Sequence, residues 1–250
     1  MESLAIQPVG YRAERLHGLF LRASLLLDKR LTRWSVAISG AMLVAALLVS
    51  QPVKAEPFAE MFGYPGEIQG EIVDFPKWTA VVQNQTSAPD GCDNEKPCNT
   101  HQWQEFLSEL EGLPAHEQLE AVNRFVNSQD YVPDMDNYGE NDYWATPGQF
   151  LANGGDCEDY AILKLFSLLR LGWPSEVLRL VVVQDTKLKM PHAVLAVSMG
   201  ADVLVLDNQA KSIKSSNTIA HYAPVYSLSD KAWWLHSPTE QTSRAAPASR

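Results

Sequence analysis

The chain has 250 residues, 46% of them hydrophobic and 20% charged, with a formal net charge of −10. That length holds one domain of ordinary size plus a targeting segment but not two large domains, and the composition excludes wholesale disorder. Seven of the 20 Lys and Arg and three of the 30 Asp and Glu fall in residues 1–55, a balance of +4 that leaves −14 over residues 56–250. A body this acidic repels phosphate backbones and anionic lipid, so the expectation is no nucleic acid ligand.

At the N-terminus, Arg30 and Arg33 precede an uncharged apolar stretch, Ser35–Ser50, followed by Val53-Lys54-Ala55 with small residues at signal-peptidase spacing. The stretch is short for a full span, which needs about 20 apolar residues. Residues 1–55 therefore read as a basic n-region with a signal cleaved near Ala55, or as a retained anchor. Both readings export the body, with a bacterial periplasm as destination. Residues 56–237 form the domain, and the Ser/Thr/Ala-rich residues 238–250 a flexible tail.

Residues 56–100 are rich in Pro, Gly and Asn and read as loops, with one short strand near Thr79–Val82. Within them, Cys92 and Cys98 bracket a polar turn that suits a small disulfide in an oxidising compartment. A metal pair is the alternative, for which His101 alone is thin support. Gln102–Leu113 and His116–Ser128 read as two amphipathic helices, the second with Leu119, Val122, Phe125 and Val126 on one face. After an acidic, aromatic loop over 130–145, Thr146-Pro147-Gly148-Gln149 opens a short helix with a capping box, and Gly154-Gly155 ends it. Asp156–Leu171 is the most apolar helix and reads as buried on several sides. Val177–Gln184, Ala193–Ser198 and Val203–Asp207 are β-like runs joined by short polar turns, which suits an antiparallel meander packed on that helix.

Cys157 is the thiol left over from the Cys92–Cys98 pair, and it starts the buried helix directly after two glycines. Helix N-terminal N–H groups favour a thiolate, and the cysteine's own N–H can face a carbonyl oxygen under attack. Trp144 is one candidate for a second donor. The glycines are expected to let the backbone approach a substrate closely. His192 begins one β-run and Asp207 ends the next. On adjacent antiparallel strands these positions meet, giving an imidazole that takes the thiol proton and a carboxylate that fixes its tautomer.

The octapeptide Gly154-Gly155-Asp156-Cys157-Glu158-Asp159-Tyr160-Ala161 is highly specific. With Pro191-His192-Ala193-Val194-Leu195 and Leu206-Asp207-Asn208 it resembles the bacterial transglutaminase-like cysteine proteinases of the LapG type. The resemblance runs over roughly residues 67–234. It implies an α+β fold with a papain/transglutaminase-like core, N-terminal helices packed on an antiparallel β-sheet, and a Cys157, His192, Asp207 triad. It implies a calcium-dependent periplasmic cysteine endopeptidase that cleaves the N-terminal region of a large repeat adhesin within a dialanine-containing segment. Control of attachment and biofilm release follows, as does an inner-membrane cyclic-di-GMP receptor that sequesters the protease. Two other readings fit the same residues: an acyl-transferring, transglutaminase-like enzyme, and a non-catalytic calcium-dependent binding module.

Calcium also has an argument of its own. Between Phe125 and Leu163 there is no Lys or Arg, yet Asp130, Asp134, Asp136, Glu140, Asp142, Asp156, Glu158 and Asp159 all fall there. Such a concentration is either solvated or neutralised by a cation. Asp134, Asp136, Tyr138, Gly139, Glu140 and Asp142 follow the first nine positions of an EF-hand loop, but Ala145 stands where the bidentate glutamate belongs. A closing ligand would come from Glu158 or Asp159, while the resemblance implies a calcium role for Asp156 and Glu158.

Overall fold

The computed structural model describes residues 58, 60–87 and 100–237. The apolar stretch, the Cys92–Cys98 turn and the tail from 238 lie outside the described residues. The chain divides into two units, residues 1–51 and 52–250, and every described residue belongs to the second. Among the described residues no helix is long and apolar enough to cross a membrane.

The fold is α+β. Eight strands form one antiparallel sheet: β1 (Glu60–Met61), β2 (Tyr64–Glu71), β3 (Leu178–Asp185), β4 (Met190–Met199), β5 (Asp202–Leu206), β6 (Lys214–Ser215), β7 (Tyr222–Leu228) and β8 (Ala232–His236). Their spatial order is β1-β2-β8-β7-β3-β4-β5-β6. The expected meander is β3-β4-β5, with Val183 opposite His192 and Leu195 opposite Leu206. Alternation along β4 sends Leu195 and Val197 into one apolar core and Val194 and Ala196 into another.

The first core holds the helices: α1 (Pro76–Ser87), α2 (Thr100–Leu110), α3 (Ala115–Asn127), the single turn α4 (Asp134–Asn137), α5 (Pro147–Asn153) and α6 (Cys157–Arg170). Helix α6 packs on β3 and β4 with one side and on α3 and α5 with the other. That position explains its apolar circumference: Tyr160 through Leu168 are all buried. The second core is capped by Phe58, Met61 and Phe62, which lie against Val181, Val194 and Val205. Phe62 and Gly63 turn β1 into β2 with φ of 55° and 82°, a conformation natural to glycine and costly for phenylalanine.

Two sequence expectations fail in this first third. Thr79–Val82 is not a strand but the middle of α1. Its β-branched residues favour strand locally, yet Trp78, Val81 and Gln85 are buried at helical spacing, and Pro76 sits at the helix start. Trp78 is fully buried and its indole N–H donates to the Ser229 carbonyl at 2.7 Å, so tertiary packing overrides propensity. Residues 64–71, read as loop, are strand β2 paired with β8.

Candidate active site

The start of α6 is fixed from both directions. Thr146 caps α5 through the expected capping box with Gln149. Gly154 then takes φ +73°, where a Cβ would stand 2.5 Å from the Asp130 carbonyl oxygen, and a Cβ on Gly155 would stand 2.2 Å from Asp159 Oδ2. Both positions exclude side chains because the backbone packs on its own neighbours. Gly155 bridges Tyr131, and its carbonyl accepts from Val132 N–H at 2.9 Å. These contacts give both glycines a structural role. A second capping box, Asp156 with Asp159, engages the N–H groups of those two residues and places Cys157 at the first position of α6.

Cys157 lies beside the start of β4, where the Ala193 backbone N–H hydrogen-bonds its thiol. Burial pushes the thiol pKa up, the charges of Glu158 and Asp156 add to that, and the Ala193 bond opposes it. The thiol donates to Glu158 Oε2 at 3.3 Å. One residue before Ala193, His192 is buried with Nε2 2.9 Å from Asp207 Oδ1. Asp207 also accepts the Gln209 backbone N–H on Oδ1 at 2.9 Å and the Tyr222 hydroxyl on Oδ2 at 2.7 Å. Burial alone would push its carboxyl up; the His192 bond and charge, with the other two donors, outweigh that and hold it below the usual range. With Nε2–H directed at Asp207, Nδ1 is the acceptor nitrogen, and the Gln209 side-chain amide faces it at 3.3 Å.

Around the start of α6 the carboxylates converge. Asp134, Asp156 and Asp159 offer oxygens within 4.8 Å of one another, and so do Asp134, Asp142 and Glu158. Burial, followed by a hydrogen bond with Asp156 and its charge, pushes Glu158 up to about 10. Burial pushes Asp159 up to about 8 against the Ala145 N–H bond, which is 2.7 Å long. Asp134 is raised as well, mainly by burial. One oxygen each of Asp134 and Asp156 is buried with no hydrogen-bond partner.

A family model described as bacterial transglutaminase-like cysteine proteinase matches residues 84–241. The chain belongs to this family. Among solved structures it is similar to Legionella pneumophila LapG in calcium-bound form, at 31% identity and TM-score 0.52, over 62% of this chain and 87% of that one. Two further structures of Legionella pneumophila LapG, the second EGTA-treated, each match at 32% identity and TM-score 0.52, over 62% of this chain and 85% and 84% of theirs. No curated protein matches.

In this proteinase the structure joins His192 to Asp207 and sets Cys157 beside Ala193 at the start of β4, while Asp134, Asp142, Asp156, Glu158 and Asp159 gather around the start of α6. It does not add Asp136 or Glu140, which are exposed, or Tyr138, whose ring stacks on Tyr143 at 4.0 Å. The segment 134–145 is no EF-hand loop, because Asp134–Asn137 is a helical turn that points only part of the loop inward. Trp144 Nε1 donates to Asp142 Oδ1 at 3.0 Å, so that N–H is engaged outside any oxyanion site. Two residues escaped the sequence reading. Gln209 was legible in principle, since Asp207-Asn208-Gln209 is an Asx turn. Tyr222 carried no signal, since its place depends on β7 pairing with β3.

Proposed function

We propose that the chain is a calcium-dependent cysteine endopeptidase with a papain-like core, in which Cys157 is the nucleophile, His192 the general base and Asp207 the group that orients it. The observation that carries this reading is the buried His192–Asp207 pair beside a helix-start thiol bonded by Ala193 N–H. The thiol proton passes to His192 Nδ1, because Nε2–H is held by Asp207. For that transfer the thiol leaves Glu158 and the Gln209 amide moves off Nδ1. Sγ attacks the peptide carbonyl, and the Cys157 backbone N–H, which the capping box does not use, donates to the developing oxyanion. His192 then protonates the leaving amine, and water releases the acyl group.

The convergent acids fit a hard divalent cation. All are oxygen donors, two oxygens are buried without partners, and the burial that pushes Asp159 and Glu158 up is relieved by a positive charge. Calcium, bound in the 31%-identical LapG structure, would be held here by Asp134, Asp142, Asp156, Glu158 and Asp159. When bound it supplies charge compensation next to the nucleophile and ties the 130–145 loop to α6.

The substrate reading follows the family resemblance: the N-terminal region of a large surface adhesin, cut in the periplasm to control attachment, with a cyclic-di-GMP receptor holding the protease back. The apolar stretch at 35–50 supports export. The experiment is cleavage of a dialanine-containing adhesin fragment after EGTA treatment, with calcium or magnesium added back. Cleavage restored by calcium, not by magnesium, and absent in Cys157→Ala is the expected result. Amine-labelled product instead of new N-termini would favour acyl transfer, and full cleavage by verified metal-free protein would remove calcium from the mechanism.

A further inference from the structure

Beside Asp207 lies a cavity of about 420 Å³ lined by Lys187, Lys211, Lys214, His221, Asp185 and Asp207 among others. Its two carboxylates are engaged. Asp185 Oδ1 accepts the backbone N–H groups of Lys187 and Leu188 at 2.8 and 2.9 Å, and Asp207 is held by His192, Gln209 and Tyr222. Lys187, Lys211 and Lys214 are exposed and form none of the ion pairs found among the described residues. Set against the charges of Asp185 and Asp207, the three ammonium groups leave this concavity with a balance of +1, opposite in sign to a body whose balance is −14. Lys211 also lines a second opening of about 350 Å³ next to it, so it stands where the two meet.

The chemistry of the site gives this cavity a direction. The imidazole that takes the thiol proton must hand it to the leaving nitrogen, so the leaving-group side of a bound peptide lies on the His192 side of Cys157. The cavity shares Asp207 and Gln209 with that side, and Gln209 faces His192 Nδ1. The carboxylates around α6 do not line the cavity.

We propose that this cavity is a subsite for an acidic side chain of the substrate, a few residues past the scissile bond on its leaving-group side. The proposal rests on the peptidase reading of Cys157 and His192. It names the substrate class as a polypeptide with Asp or Glu downstream of the cut, and it makes Lys187, Lys211 and Lys214 specificity residues. Three exposed ammonium groups acting together favour Glu over Lys by about five- to tenfold, less as salt shortens the range of the field.

The test uses internally quenched peptides with one cleavable core and Glu, Gln or Lys at the second, third or fourth leaving-group position, with calcium present. Wild type should show kcat/KM in the order Glu, Gln, Lys at one of these positions, with the spread collapsing at high salt. Lys211→Glu and Lys214→Glu, both exposed and tolerable to the fold, should invert the order. In parallel, fluorescence anisotropy reads binding of the same peptides to Cys157→Ala, where the same order and inversion are expected without turnover. A flat profile at all three positions in both assays overturns the proposal, and so does an acidic preference that survives the charge reversals. Absence of Cys157-dependent cleavage with every peptide would count against the peptidase reading; the anisotropy order would still decide the cavity.

Discussion

Asp207 and Asp134 are both almost wholly buried carboxylates, at 4% and 2% exposure, and they end up in opposite states. Asp207 accepts from an imidazole, a backbone N–H and a phenol, and is held below the usual carboxylate range. Asp134 accepts the Tyr143 N–H on Oδ2, keeps a buried Oδ1 with no partner, and is raised. A buried charge that the fold itself satisfies is part of a finished machine. One that the fold leaves unsatisfied marks where the protein relies on something it does not encode. The base side of this site is complete in the polypeptide, and the acid side is complete only with a cation.

The largest effects test the finished side. Cys157→Ala should remove peptide cleavage altogether, measured by appearance of new N-termini, while the thermal midpoint stays near wild type. Asp207→Asn should lower kcat by on the order of 10³, because an amide no longer holds His192 with Nε2–H toward it. Activity in Cys157→Ala, or full turnover in Asp207→Asn, would break the comparison at its base.

Next comes the acid side without metal. Asp159 and Glu158 bind protons more tightly in the fold, at about 8 and 10, than at their ordinary values of 3.8 and 4.5. Their stabilising contribution is therefore complete below about pH 4 and is lost as pH rises toward the folded values. Lys164, buried and pushed down to about 7 with the Asp207 charge opposing, acts in the reverse sense above pH 7. In EGTA the thermal midpoint should consequently fall between pH 5 and pH 7, on the order of 5 °C, and calcium should flatten that slope. A metal-free midpoint that rises over this window would show that the acids are solvated rather than buried together.

A smaller and sharper effect is expected from Asp134→Asn. The substitution keeps an acceptor for Tyr143 and removes a buried charge, so the metal-free protein should be stabilised by about 1 kcal/mol, a gain of a few degrees in the thermal midpoint. Calcium affinity by calorimetry should drop tenfold or more. Opposite signs in the two measurements are the signature; loss of both would indicate a purely structural role. The smallest effect belongs to Gln209→Ala, which removes the amide facing His192 Nδ1 but keeps the backbone donor to Asp207. It should raise kcat/KM by no more than about threefold.

Much of the site was legible because its cues are local. The Thr146 capping box, the left-handed Gly154 stop and the apolar run after Cys157 each depend on neighbours within a few residues, and the structure has all three. The meeting of His192 and Asp207 followed from one hairpin between adjacent strands. The metal side was half legible: the acids stood out as a concentration and Glu158 or Asp159 was expected to close the 134–142 loop, but Asp136, Tyr138 and Glu140 were expected in it as well. The structure joins Asp134 and Asp142 to three acids from the start of α6, a pairing supported by the Gly155 bridge to Tyr131. Strand β2 and helix α1 were not legible, since each owes its place to partners more than a hundred residues away. Tyr222 was hidden for a related reason, because β7 skips over the β4–β5 hairpin to pair with β3.

The pairing of β2 with β8 has a consequence for the order in which the protein can be made. Ile68 is in register with Trp234, so the first long strand waits for the last one before its edge is closed. Phe58, Met61 and Phe62, a few residues after Ala55, seal a core whose other buried members come from the C-terminal third of the sequence. A nascent chain made from its N-terminus cannot close this sheet early. The topology delays closure of the sheet until synthesis is nearly finished.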